Sequence, residues 1–224
     1  MGAVLTPVDL THVDTWLFDL DNTLYPPSSG YIHAIETRIR DYFVRLTGLP
    51  PDEAWAVQKR YLDAHGSALP GLIEHHQADP HQFLREVHDV PLDLLTADPA
   101  LRAAVARLPG RRLVFTNGSA WHAERVLERL ELSDLFDEVF HTEAAGLLAK
   151  PDPRAFDALI VAHQVSPLTT AFFEDRAVNL GPAAALGMTT VLVGEHAAAS
   201  TEPFVRHRTA ALTDFLNAAL VKDA

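Results

Sequence analysis

The sequence contains no cysteine. That absence excludes disulfide frameworks, thiolate metal sites and a cysteine nucleophile together, and it fits a reducing compartment. Positive charge is scarce as well: 18 Lys and Arg stand against 30 Asp and Glu, for a net charge of −12. Such a chain repels a nucleic-acid polymer and an anionic membrane, because binding to either leans on Lys and Arg. A single small phosphate compound stays within reach, since one local cation holds it whatever the global sign. No apolar run is long enough to span a bilayer, and the first residues lack the basic start and apolar stretch of a secretory signal. The expected location is therefore the cytoplasm. The opening MGAVLT fits an N-terminal acylation pattern, but nothing polybasic follows to support an anchor, and it reads as a solvated start.

What is present is an ordinary globular composition, 48% apolar and 21% charged over 224 residues, enough for one substantial core with room for a small inserted unit. Trp16-Leu17-Phe18 is too short for a helix and runs straight into Asp19-Leu20-Asp21, then Thr, Pro, Ser and Gly. It reads as a buried parallel strand ending at Asp19. Arg112 to Thr116, running into Asn117-Gly118-Ser119, and Thr170 to Phe173, running into Glu174-Asp175, behave alike. Further strands are expected at Met188 to Val193 and Glu138 to Phe140. Helical patterns lie between them at Ala120 to Leu130, Pro153 to His163 and Ala177 to Leu186. Alternating strands and helices imply a doubly wound parallel sheet, an α/β fold whose ligands bind beyond the strand carboxyl ends.

From Gly30 to about Asp93 the pattern is helical throughout. Ile32, Ile35, Ile39, Phe43 and Leu46 recur at helical spacing up to Gly48, and a second helix opens at Pro51-Asp52-Glu53 and stops by Gly66. The expected division is an α/β core of residues 1–27 and 94–224 with an all-helical cap, 28–93, inserted after the first strand. Gly66, Pro70 and Gly71 punctuate a cap segment that reads either as a loop between helices or as a substrate-reading segment, and Ala197 to Ser200 reads as a surface loop.

The polar clusters all fall at one sheet edge. Asp19 and Asp21, two residues apart as a strand runs out, suit phosphoryl transfer, one carboxylate attacking phosphorus and the other moving the proton of the leaving oxygen. Charge sets a condition on this chemistry. A phosphate dianion beside Asp19, Glu174 and Asp175 meets repulsion of about 4 kcal/mol per unit-charge pair at ~4 Å and an effective dielectric of ~20. A hard divalent cation is implied, and an all-oxygen acid cluster suits Mg²⁺. Of the three lysines, Lys59, Lys150 and Lys222, the one in LLAKPDP opens a helix and would aim its ammonium at the strand edge. Thr116 and Asn117 offer a hydroxyl and an amide to phosphate oxygens, aided by N–H groups at the following helix start. The twelve histidines show no convincing metal-ligand spacing and read as surface residues.

These residues together resemble the haloacid dehalogenase (HAD) superfamily, with FDLDNT, TNG, KPDP and FFEDRAVN as its four motifs in order. The resemblance implies Asp19 as nucleophile and Asp21 as general acid/base. It places Mg²⁺ on Asp19, Asp175, the Asp21 backbone carbonyl and Glu174, the last directly or through water. Thr116 and Asn117 would hold the phosphoryl group and Lys150 would stabilise its charge. DNTLY and the segment YLDAHGSALPGL further resemble the pyrimidine 5′-nucleotidase subfamily, although Glu-Asp-Arg stands where Asp-Asp-Ser is usual. This likeness implies a small phosphorylated metabolite, a pyrimidine mononucleotide first, as substrate, with Tyr25, His65 and Ser67 as candidate specificity residues. The alternatives are a phosphatase for another small ester and a phosphomutase of the same superfamily.

Overall fold

The computed structural model describes residues 8–222; MGAVLT lies outside the described residues. Six strands, β1 (Thr15–Phe18), β2 (Arg111–Phe115), β3 (Glu138–Phe140), β4 (Thr170–Glu174), β5 (Thr189–Val193) and β6 (His207–Thr209), form one sheet in the order β3-β2-β1-β4-β5-β6. Every pairing is parallel. Before β2 come α1 (Tyr31–Thr47), α2 (Pro51–His65), α3 (Leu69–His76), α4 (Pro80–His88) and α5 (Pro99–Ala106). The crossovers and the C-terminal region supply α6 (Ala120–Arg129), α7 (Pro153–His163), α8 (Ala177–Ala185) and α9 (Leu212–Ala218).

The short apolar run of β1 forms the middle of the sheet because both of its faces are covered. Trp16 and Phe18 enter a core shared with α5, α6 and α9, while Leu17 enters a second one shared with α7 and α8. Phe18 stacks on Phe173 of β4 at 4.8 Å between ring centroids. Burying each such side chain contributes about 1.5–3 kcal/mol, which holds the strand and leaves its polar continuation to project beyond the sheet. From β1 the chain builds β2 and β3 on one side and then returns to β4, β5 and β6 on the other. The carboxyl end of β1 thus lies where the strand order reverses, the usual ligand crevice of such sheets.

Helices α1 to α4 follow β1 directly and have an apolar cluster of their own, with Tyr42, Phe43, Val57, Leu72, Phe83 and Val87 among its members. Tyr31 and Ile35 at the start of α1 pack instead into the main core, tying the two bodies together. Of the expected loop residues, Gly66 does lie between α2 and α3, whereas Pro70 and Gly71 lie in the first turn of α3. Proline is tolerated there because its missing N–H has no helical acceptor, and Gly71 lets the helix sit on Tyr61, whose ring Cγ would be 2.2 Å from an added Cβ. The segment Ala197 to Ser200, expected as a surface loop, contains a 3-10 turn over Ala197–Ala199 in which Ala197 is buried and Ala198 and Ala199 are exposed. Among the described residues, no helix is long and apolar enough to cross a membrane.

Candidate active site

The strand ends bring the expected residues to one place. Asp19 follows β1 and continues its ladder, its N–H donating to the Phe173 carbonyl at 2.9 Å. Glu174 closes β4, and Thr116 follows β2 with its N–H on the Phe140 carbonyl at 3.0 Å. Lys150, 131 residues from Asp19 in sequence, is 1% exposed, and its ammonium donates to Asp19 Oδ1 at 2.6 Å, Phe115 O at 2.7 Å and Glu174 Oε2 at 2.8 Å. Its three protons are thereby matched by three acceptors. Burial alone would lower the Lys150 pKa, but Asp19 and Glu174 raise it, so the ammonium stays charged.

Asn117 borders the same cavity and also engages the lysine segment. Its side-chain amide donates to the Lys150 carbonyl at 3.0 Å and accepts from the Lys150 N–H at 2.8 Å. One N–H and the carbonyl oxygen of the amide thus fix the lysine backbone, and the second N–H is left for another acceptor. Thr116, 1% exposed, accepts from the Gly118 N–H at 2.9 Å.

Asp21 is held from behind. Tyr25 Oη donates to its Oδ1 at 2.6 Å and His122 Nε2 lies 2.8 Å from the same oxygen. Burial opposes its ionisation, yet His122 and these hydrogen bonds keep the carboxyl at about 2. Tyr25 thus joins Asp21 to the cap, its ring packed edge-on against Tyr31 of α1 at 5.8 Å. His122 Nε2 faces a carboxylate oxygen, which can only accept, so Nε2 is the donor, while Nδ1 is buried without a partner. Its ring is sandwiched between Tyr31 at 5.9 Å and His88 at 4.3 Å. The histidines are thus not all surface residues: His88 and His122 are buried beside the carboxylates. The sequence signal for His122 was its place three residues after Ser119, whose hydroxyl caps α6 on the His122 N–H at 3.2 Å. That position turns the side chain toward the strand ends.

Asp19, Glu174 and Asp175 each offer an oxygen, all within 4.8 Å of one another. The His196 ring steadies the Asp175 segment, donating from Nε2 to its carbonyl at 2.7 Å. Burial, with Glu174 next, pushes Asp19 up to about 7 and Asp175 up to about 9. Three carboxylates against one ammonium leave the cluster short of positive charge. Asn179 Oδ1, buried without a partner, borders the same cavity as these acids and would accept from a metal-bound water. The donor set is hard oxygen throughout and fits Mg²⁺.

These acids floor a cavity of about 410 Å³, roofed by α1, α2 and α4 and by the start of α3. Ser67 lines it; His65 lines a separate outer groove of about 1090 Å³ that touches none of Asp19, Asp21, Glu174 or Asp175. The α2 helix ends on the lysine segment. Gly66 has φ of 76°, and a Cβ there would fall 2.3 Å from Pro151 Cδ and 2.5 Å from the Lys150 carbonyl oxygen. Gly66→Ala is therefore expected to displace Lys150 and lower activity at least ~10-fold, since misplacing a reacting group by ~1 Å costs as much as ~100-fold. Gly48→Ala shares the left-handed backbone but meets nothing within 4 Å. It should cost about 1–2 kcal/mol in a thermal melt with activity intact.

A parallel sheet with this strand order, an acid pair at the end of its central strand and a helical roof defines a hydrolase core of the α/β class. The chain belongs to the haloacid dehalogenase-like hydrolases, whose family model matches residues 13–187. It is 29% identical to Phosphate metabolism protein 8 of Saccharomyces cerevisiae over 79% of this chain and 60% of that protein. It is 39% identical to Phosphatase MT3486 of Mycobacterium tuberculosis over 43% of this chain and 44% of that one. The chain thus spans less than two thirds of the length of these relatives. In fold it is similar to L-2-haloacid dehalogenase from Xanthobacter autotrophicus, with a TM-score of 0.56, 17% identity and coverage of 92% and 97% of the two chains.

Proposed function

We propose that this protein is a Mg²⁺-dependent phosphomonoesterase working through an aspartyl-phosphate on Asp19, with nucleoside 5′-monophosphates, pyrimidine ones first, as its substrates. The observation that carries the reading is the buried ammonium of Lys150 bridging Asp19 and Glu174, with Asp21 on the same cavity. The similarity to a protein named a phosphatase supports it. Residues 28–93 would act as the cap over a core of 1–27 and 94–224, and the site of action would be the cytoplasm.

In the proposed cycle the Asp19 carboxylate attacks phosphorus and the bond to the leaving oxygen breaks. That oxygen takes a proton from Asp21. Both hydrogen bonds that Asp21 accepts go to Oδ1, which leaves Oδ2 for the substrate. The approach of a phosphate dianion raises the proton affinity of Asp21, in the direction its acid role needs. Asp21 then removes a proton from water, whose oxygen attacks phosphorus and frees Asp19 and inorganic phosphate. Lys150 stabilises charge on the transferring group, and Asn117 positions Lys150. Mg²⁺, held by Asp19, Asp175, Glu174 and the Asp21 carbonyl, would supply the positive charge that lets a dianion approach the carboxylates.

Release of inorganic phosphate from UMP or CMP without a bisphosphate activator tests the reading, and a requirement for the activator would turn it toward a mutase. EDTA should abolish the release and Mg²⁺ restore it. Added Mg²⁺ should also raise the melting temperature more at pH 8 than at pH 5. Asp19 and Asp175 have raised pKa values, so the metal-free fold loses stability as pH rises through them, and at pH 5 protons compete with the ion. Full turnover in chelator would contradict the charge argument.

A further inference from the structure

Along α2, Ala54, Val57 and Gln58 form the buried stripe, and at the third of these positions the apolar pattern is broken. Gln58 is 6% exposed, its Oε1 is buried without a partner, and it borders the cavity that also holds Asp19 and Asp21. A buried amide without a partner is costly, and a leucine would suit the apolar surroundings better. Around it the roof is apolar, formed by Ile35, Ile39, Leu69, Phe83, Leu84 and Val87. The roof's charged residue is Glu36, while the cations bordering the cavity, Lys150 and Arg176, belong to the core.

From this arrangement we infer that Gln58 reads the leaving group, and that the roof takes an uncharged flat ring bearing an N–H beside a carbonyl. The inference deepens the phosphatase reading and rests on it for the position of the ester. A carboxamide presents an acceptor and a donor side by side, which matches the edge of a cyclic amide such as a nucleobase with a protonated ring nitrogen. A second phosphate would face Glu36 with no cation on the roof. A polyol would need several polar partners, and the wall is mainly aliphatic and aromatic. The cavity of about 410 Å³ lies within the range of small-molecule sites.

The test compares UMP with N3-methyl-UMP, which lacks the donor, on the wild type and Gln58→Leu. The wild type is expected to favour UMP by about 10–100-fold in kcat/KM, because a site built to bond an N–H rejects the analogue without it. Gln58→Leu should bring that ratio to within about twofold of one, whereas a purely structural role would slow both esters alike and preserve the ratio. A wild-type ratio near one, or a ratio unchanged by the substitution, overturns the assignment. Should Gln58→Leu fail to fold, Gln58→Met makes the same comparison with an unbranched side chain. Absence of phosphate release from every ester, p-nitrophenyl phosphate included, would instead sink the phosphatase reading. Calorimetric binding of uridine against N3-methyluridine to the wild type and the variant would then decide the Gln58 contact by itself.

Discussion

Lys150→Met is expected to lower kcat about 10³-fold and to destabilise the metal-free protein by about 3–5 kcal/mol, two effects with separable causes. The first follows from the proposed mechanism, in which this ammonium stabilises the transferring group, at a cost typical of losing a fixed donor to developing negative charge. The second follows from burial. Lys150 donates to both Asp19 and Glu174 in a place where its side chain is 1% exposed, and deleting one partner of a buried ion pair leaves its mate uncompensated. The sign of the pH dependence is fixed by the same residues. Without the ammonium the carboxylates bind protons more readily, so their folded pKa values rise. The deficit is small in acid and grows as pH increases through those values. Saturating Mg²⁺ should recover much of the melting temperature, since it supplies the missing charge, while turnover stays low. Lys150→Arg should not rescue turnover, because a planar fork does not reproduce three bonds of 2.6, 2.7 and 2.8 Å converging on one nitrogen. Wild-type kcat in Lys150→Met would remove the lysine from the mechanism.

The sheet was readable because each central strand is an apolar run broken abruptly by polar residues, and such runs have few other uses. Thr15–Phe18, Arg111–Phe115 and Thr170–Glu174 all follow this pattern, and their ends carry Asp19, Thr116 and Glu174. The edge strand β6 was missed because His207, Arg208 and Thr209 are half-buried and carry no apolar signal. Helices α5 and α9 carry little signal either, because eight and seven residues span only about two turns, too few for a helical period to stand out. Within the site, residue types that announce their chemistry were legible and supporting contacts were not. No spacing reveals that the Asn117 amide closes on the Lys150 backbone, or that His122 reaches Asp21 across 101 residues. Histidine is common on surfaces, so only the packing of Tyr31 and His88 around His122 distinguishes it. Gln58 was invisible for the same reason, as one polar residue on an otherwise ordinary amphipathic helix.

Asp19→Asn should abolish turnover, by at least ~10⁴-fold, while leaving the fold intact, and the two halves of that expectation have independent grounds. The amide oxygen is no nucleophile toward phosphorus, and losses of this order follow when a covalent catalyst is removed. For the fold, the geometry that Asp19 satisfies is one that asparagine also satisfies. Its Oδ1 accepts from Lys150, and Thr23 Oγ1 lies 3.2 Å from the other oxygen, which an amide nitrogen can replace by donating to the hydroxyl. The metal-free protein even gains something. Burial and the neighbouring Glu174 raise Asp19 to about 7, so above that pH the wild type holds a carboxylate that its surroundings disfavour. Stability linked to this group is present in acid and lost as pH rises between about 4 and 7. The asparagine variant carries no such proton, so its metal-free melting temperature should be flatter than the wild type's across that interval. Its Mg²⁺-induced stabilisation should also be smaller, because one of the three clustered carboxylates is gone. The pairing of an inactive protein with a flattened pH profile separates a lost nucleophile from a lost fold. A variant that unfolds would also be inactive but would show no melting transition to follow with pH, and one that still turns over near the wild-type rate would move the nucleophile elsewhere.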